Sequence, residues 1–418
     1  MNTPKENKGG LWQTVFSWID ERFPVTDTLE KHITKYYAPK NFNAWYIMGV
    51  LAMLVLVIQV LSGIALTMNY KPSAEQAFAS VEYIMRDVEY GWLIRYMHST
   101  GATAFFAVVY LHMFRGLLYG SYRKPRELVW LIGMIIYLLL MAEAFMGYLL
   151  PWGQMSFWGG QVIVNLFESI PLIGPDLALW LRGDYIISDI TLNRFFAFHV
   201  AAVPLLIILF VFLHIVALHR VGSNNPDGVD IKKYRDAEGA PLDGVPFHPY
   251  MTAKDYVGVS IFLIIFCIVV FYVPDGGGYF LEKPNFTEAN PLQTPEHIAP
   301  VWYFTPFYAM LRAIPGFFGS QFPATFVMFA GVLVWFFLPL LDRSPVLSIR
   351  YKGYLSKIML LLFVISFVWL GVLGVLPSTP ERTLIARLLT VVYFAYFLLM
   401  PIYTRIEATR PVPERVTT

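Results

Sequence analysis

The sequence predicts an all-α integral membrane protein of eight transmembrane helices, a four-helix bundle followed by a second bundle of four. Three observations carry that fold class. Only 14% of the 418 residues are charged and 57% are hydrophobic, whereas a soluble chain carries about 25% charged residues. The apolar residues gather into eight windows, each near the roughly 20 residues that a helix needs to cross a hydrocarbon core. Two of those windows each hold a pair of histidines at helical register, and ionisable groups are costly inside a bilayer.

The elements follow in order. LWQTVFSWIDERF at 11–23 reads as an amphipathic helix lying in the membrane interface, aromatics to one side. Spans are expected at 45–68, 92–118, 128–150, 195–219, 256–274, 322–341, 354–376 and 384–404. The amphipathic stretch 152–181 and the Pro- and Gly-rich loop 275–321 are too long and too patterned for plain connectors. The expected plan is an N-terminal segment 1–44, a first bundle 45–221, a loop 222–255, a second helical region 256–404 and a tail 405–418.

Charge sets the orientation. With both termini in the cytoplasm, 22 of the 31 Lys and Arg residues, among them Lys5, Lys8 and Lys31, fall on inner segments and helix ends. Nothing ahead of the first span is apolar enough for a signal peptide, so that span is expected to act as its own insertion signal. The second and fourth spans then run parallel, both from outside to inside. A net charge of +2 excludes a nucleic-acid partner. Cys267 is the only cysteine, which excludes a disulfide framework, a CxxCH haem attachment and a cysteine-held iron–sulfur cluster. A buried thiol on a lipid-facing helix is its expected role.

His98 and His112 lie in the second span, His199 and His214 in the fourth. Fourteen residues fall about 40° short of four turns and fifteen overshoot by about 60°, so each pair shares a helix face. Both separations come to about 21–22 Å, which suits two flat groups stacked within a core of about 30 Å. Parallel spans pair His98 with His199 near the outer face and His112 with His214 near the inner face. One such histidine reads equally well as a hydrogen-bonded interior residue; four in matched pairs read as metal ligands. Gly49 and Gly63 in the first span, and Gly133 and Gly147 in the third, repeat the 14-residue interval. Small residues alone let membrane helices pack closely, but the shared interval points to flat cofactors pressing on those helices at two levels. The expected bundle is therefore diheme, with two noncovalent b-type haems whose bis-histidine iron carries electrons and has no open position. Arg95 and Arg115, three residues from His98 and His112, either pair with haem propionates or snorkel as helix-end anchors.

Four stretches resemble one family, the cytochrome b of cytochrome bc complexes. RYMHSTGATAFFAVVYLHMFRGLLYGSYR at 95–123 is similar to its second helix, and FMGYLLPWGQMSFWG at 145–159 to its outer quinol-site helix. RFFAFHV and LHRVGSNNP, within 194–226, resemble its fourth helix, and PVWYFTPFYAMLRAIP at 300–315 the segment around its Pro-Glu-Trp-Tyr motif. The resemblance covers about residues 30–405 and is of the bacterial type. It implies a quinol:cytochrome c oxidoreductase that runs a Q-cycle in the bacterial inner membrane. The implied partners are a Rieske iron–sulfur protein and a membrane-anchored c-type cytochrome, in a homodimer of the complex. A diheme anchor subunit of a dehydrogenase usually has four or five spans and no such loop. A secondary transporter needs broken helices and internal repeats, which this sequence lacks.

The resemblance also implies two quinone pockets. The outer one would hold Phe145, Tyr148, Gly159, Pro300, Trp302, Tyr303 and Tyr308, an aromatic cavity suited to a flat ring. The inner one would use His219, Ser223, Lys254 and Asp255, where a histidine and a carboxylate at a wet interface can deliver two protons. A first-turn charge anchoring the helix is the other role open to Asp255. Two departures stand out. The fourth-span histidines are 15 apart, against 14 in mitochondrial relatives, and Val301 replaces the motif glutamate. Valine accepts no proton, so another group must. Glu296 and Glu143 are the candidates, Glu296 preferred because a loop carboxylate can discharge to water and Glu143 alternatively a buried hydrogen-bond donor.

Overall fold

The computed structural model describes residues 10–26, 35–316 and 319–417; Lys5, Lys8 and Lys31 lie outside them. Helix α1 (Leu11–Asp20) buries none of its residues, leaving Leu11, Trp12, Phe16 and Trp18 open as an interfacial helix requires. The spans are α2 (Ala44–Thr67), then α4 (Gly91–Tyr119), α5 (Glu127–Leu149) and α8 (Asp189–Val221). Before α4 stands α3 (Ala77–Arg86), a ten-residue amphipathic helix not expected from the sequence. The 152–181 stretch folds as two helices, α6 (Gln154–Glu168) and α7 (Gly174–Arg182).

The second half contributes α9 (Thr252–Tyr272), α10 (Thr305–Ala313), α11 (Phe322–Leu341) and α12 (Tyr354–Val375). The expected eighth span is two helices, α13 (Pro380–Leu398) and α14 (Met400–Ile406), bent by 56°. Pro401 explains the break, because it offers no N–H to the turn before it and its ring crowds that turn. Among the described residues, seven helices are long and apolar enough to cross a membrane, and this bent pair makes an eighth. The fourth span also begins six residues earlier than its apolar run: the helix starts at Asp189, where the Ser188 backbone N–H donates to Thr191 Oγ1 at 3.1 Å.

Packing pairs α2 with α4 and α5 with α8, so each histidine-bearing helix has a glycine-bearing neighbour. The short helix α10 packs on α11 and α12. One apolar cluster joins α4 and α5 to this second half through Phe106, Tyr137, Val301, Tyr303, Met310 and Trp335. A smaller one sits beneath α6 and α7 around Leu149, Trp152, Phe157 and Phe195. The spans turn large side chains outward, with Leu205 67% and Phe212 62% exposed, a surface that lipid satisfies and water does not. Cys267 faces outward with them: the thiol is exposed on the chain surface, not buried as expected from its apolar run.

Strands β1 (Tyr37–Pro39) and β2 (Gly244–Pro246) pair antiparallel and tie the N-terminal segment to the loop ahead of α9. At the same end, Tyr122 after α4 donates to Asp342 after α11 at 2.6 Å, and Lys352 Nζ stands 2.5 Å from the same carboxylate. That buried pair carries its own hydrogen bonds, as a charge out of water requires.

Candidate functional site: two histidine pairs and two aromatic clusters

Within the bundle, His98 faces His199 with ring centres 6.1 Å apart, and His112 faces His214 at 6.4 Å. Two metal–imidazole bonds of about 2 Å, plus about 1.1 Å from each bonding nitrogen to its ring centre, set rings about 6.2 Å apart. Both pairs therefore have the separation of two imidazoles sharing one iron. In the outer pair the protonated ring nitrogen is fixed as well. Ser62 gives its hydroxyl proton to the Ile58 carbonyl at 2.6 Å and so accepts from His98 Nδ1 at 2.9 Å. His199 Nδ1 donates to the Glu143 carbonyl at 3.0 Å. With Nδ1 carrying the proton on both rings, Nε2 keeps the lone pair that a metal binds.

The four glycines face these rings one to one. A Cβ on Gly49 would lie 3.5 Å from His112 Cε1, on Gly63 3.2 Å from His98, and on Gly133 3.1 Å from His214. On Gly147 it would run into the His199 ring, closer than real Cβ atoms come. The 14-residue interval thus sets one glycine of α2 or α5 against each of the four paired imidazoles.

The 15-residue interval in α8 has a local cause. Phe198–Ala202 forms a π turn and His199 sits inside it. A π turn closes i→i+5 and so takes up one extra residue, which brings His199 and His214 back toward one face.

Charge fits a group bearing carboxylates. Arg95 and Arg115 form no ion pair with any described residue. Arg115 Nε is buried without an acceptor among the described residues, and its guanidinium lies over the Tyr119 ring, 5.4 Å away. A buried cation without an anion is expensive, and each of these stands three residues from a paired histidine.

The outer cluster forms around Tyr303, whose ring stacks on Phe106 at 3.9 Å and 4°. Its carbonyl accepts from Tyr110 at 2.6 Å. Val301 and Tyr303 are buried, and the Trp302 indole N–H, also buried, finds no acceptor among the described residues. Tyr308 donates to the Ile298 carbonyl at 3.0 Å, just ahead of the partly buried Pro300. Gly159 abuts Tyr148, while Phe145 packs on Phe195 in the neighbouring cluster at 5.5 Å. Of the two expected acceptors, Glu296 is exposed and bonds to no described side chain. Glu143 sets Oε1 3.0 Å from His199 Nδ1.

Sequence reasoning missed Glu282. Its Oε2 accepts from Tyr148 at 2.9 Å, and burial pushes its carboxyl up to about 7 while the Tyr148 bond partly offsets that. The loop is held there by Asn285 Oδ1 accepting from Ser156 N at 2.8 Å, and by main-chain bonds Gln154 N to Thr287 O at 2.9 Å and Ala289 N to Trp152 O at 3.0 Å. Gly153 permits that approach, since a Cβ there would strike the Asn285 backbone. No local pattern around Glu282 announces a contact with a residue 134 positions away.

At the opposite end, His219 stacks on Tyr36 at 5.0 Å, and the Tyr36 and Ser223 hydroxyls are 3.0 Å apart. Asp255, in the first turn of α9, meets the Tyr46 hydroxyl and keeps Oδ1 buried without a partner. Lys254 is exposed. Tyr36 and Tyr46 were not expected; strand pairing at Tyr37 and the α9 turn bring them in.

A multi-pass bundle with two facing histidine pairs defines a membrane electron-transfer protein. The family model described as Cytochrome b/b6/petB matches residues 33–222, and that described as Cytochrome b(C-terminal)/b6/petD matches 288–394. The chain is 64% identical over 405 residues to a cytochrome b of Allochromatium vinosum, covering 96% of this chain and 98% of that one. It is 46% identical over 401 residues to a cytochrome b of Rhodospirillum rubrum, covering 96% and 95%. A solved structure described as Hyperthermophilic respiratory Complex III matches with a TM-score of 0.86 at 39% identity, covering 94% of this chain and 99% of that one. The chain belongs to the cytochrome b/b6 family. It is the electron-transfer subunit of a quinol:cytochrome c oxidoreductase, a b-haem-binding, multi-pass membrane protein that works in a multisubunit complex.

Proposed function

We propose that this chain holds two noncovalent b-type haems, one between His98 and His199 and one between His112 and His214, and joins an outer quinol-oxidising site to an inner quinone-reducing site. The observation that carries the reading is the ring separation of both pairs, 6.1 and 6.4 Å, with a glycine seating each imidazole. Bound there, bis-imidazole haem transfers single electrons. Arg95 and Arg115 neutralise its propionates, and Ser62 and the Glu143 carbonyl orient the outer ligands. Glu143 Oε1, 3.0 Å from His199 Nδ1, also helps to hold that ring in place.

The outer pocket lies among Tyr148, Gly159, Trp302 and Tyr303, with the unpaired Trp302 N–H available to a quinol oxygen. Val301 there supplies shape and no proton transfer. The inner pocket lies between His219 with Ser223 on one side and Asp255 on the other, where a reduced quinone takes up two protons. One electron of each quinol leaves to a Rieske iron–sulfur protein and on to a membrane-anchored c-type cytochrome. The other crosses this chain. The complex is a homodimer in a bacterial inner membrane with both termini of this chain cytoplasmic, which the inner excess of Lys and Arg supports.

Replacing Asp255 with asparagine tests the inner site. Reoxidation of the inner haem by quinone slows by about 10²-fold, the scale of one lost proton-transfer group. The haem spectrum and the first outer-site turnover remain. Flash- or mixing-initiated absorbance kinetics read both, and loss of the first turnover instead would remove Asp255 from the inner pocket.

A further inference from the structure

We propose that Glu282 is the proton acceptor of the outer quinol site, reached through the Tyr148 hydroxyl, and that it does the work Val301 cannot. The inference rests on the outer-site reading above. Geometry singles Glu282 out among the carboxylates at this end. Its Oε2 lies 2.9 Å from Tyr148 Oη, and Tyr148 abuts Gly159 on the pocket wall. Glu296 is exposed and bonds to no described side chain. Glu143 is spoken for by His199 Nδ1 at 3.0 Å. Glu288 shares the Glu282 loop but is exposed. The stitching of that loop to Gln154 and Ser156 fixes the carboxylate instead of leaving it to swing.

The titratable groups facing Glu282 from the packed elements are Tyr148 and Tyr303. Lys283 adjoins it in the chain but is exposed. Burial without a cation holds the carboxyl near neutrality, at about 7, well above the ordinary glutamate value of about 4.3. A base is most effective with its pKa near the working pH.

The step balances as follows. Quinol loses two electrons and two protons and becomes quinone. One quinol hydroxyl proton passes to Tyr148 Oη as that hydroxyl gives its own proton to Glu282. Tyr148 ends as a phenol and Glu282 as a neutral acid. Water takes the second proton, and both electrons leave to the acceptors of the established activity. Partly exposed on the outer loop, Glu282 then discharges to solvent. Its reactive form is the carboxylate, so turnover rises with pH through about 7.

The test uses the intact complex and compares steady-state quinol:cytochrome c turnover from acid to alkaline pH. Glu282→Gln is expected to lose about 10²-fold at alkaline pH together with the rising limb, with haem spectra unchanged. Glu282→Asp keeps part of the limb, and the neighbouring Glu288→Gln leaves the profile as it was. Tyr148→Phe removes the relay hydroxyl between quinol and Glu282, so turnover falls toward that of Glu282→Gln and the rising limb is lost with it; this variant decides the matter if Glu282→Gln does not assemble, and a wild-type profile in it would overturn the relay. Infrared difference spectra of quinol oxidation should show a protonated-carboxyl band that Glu282→Gln lacks. Wild-type turnover and limb in Glu282→Gln, while Gly159→Val abolishes turnover, would overturn the acceptor and leave the outer site standing. Normal turnover in Gly159→Val would overturn the outer-site reading itself, and this inference with it.

Discussion

Replacing His112 with leucine takes one haem from the chain and leaves the other. Leucine fits the bilayer interior but offers no lone pair, so the ring 6.4 Å away on His214 is left to hold iron alone. Losing even a hydrogen-bond partner behind a metal ligand costs about 10–100-fold in affinity; losing the ligand costs more. The outer pair stands about 21 Å away along the helix and has its own supports in Ser62 and the Glu143 carbonyl. The reduced-minus-oxidised spectrum should therefore fall to about half, with the outer component surviving at least in part. Two haems at full occupancy in this variant would disprove the assignment.

The second large effect comes from a single methyl group. Alanine at Gly147 places Cβ against the His199 ring, with no room for both, whereas alanine at Gly49 makes an ordinary 3.5 Å contact with His112. Gly147→Ala should lose the outer haem and Gly49→Ala should keep the inner one. Gly63→Ala and Gly133→Ala, at 3.2 and 3.1 Å, fall between. Helix propensity cannot produce this order, because glycine to alanine strengthens a helix by about 1 kcal/mol wherever it is made. Pyridine haemochromogen content per chain reads the series. Equal retention in all four variants would show that the glycines serve helix packing alone.

Much of the fold was legible because a bilayer imposes long apolar runs. Helix α3, Ala77–Arg86, escaped because ten amphipathic residues between two spans resemble a connector. The break before α14 was hidden inside an apolar window that hydropathy alone joins into one span. The histidine pairing needed only helical arithmetic and parallel spans. That each of these glycines stands against one particular imidazole was not legible, since a 14-residue interval does not say which side chain of the neighbouring helix lies opposite. The π turn at Phe198–Ala202 was equally hidden, because a 15-residue interval on an ideal helix simply overshoots. Glu282, Tyr36 and Tyr46 depend on loops folding back across more than a hundred residues, and no local periodicity encodes such contacts.

The central claim is two haems, each held by two histidines and by no covalent bond. The most direct measurement is haem per polypeptide in this subunit, isolated from the complex, before and after acid–acetone extraction. Two haems per chain, all of them extracted, are expected, because Cys267 is the only cysteine and lies in no haem-attachment motif. One haem per chain, or haem that stays on the polypeptide through extraction, would contradict it.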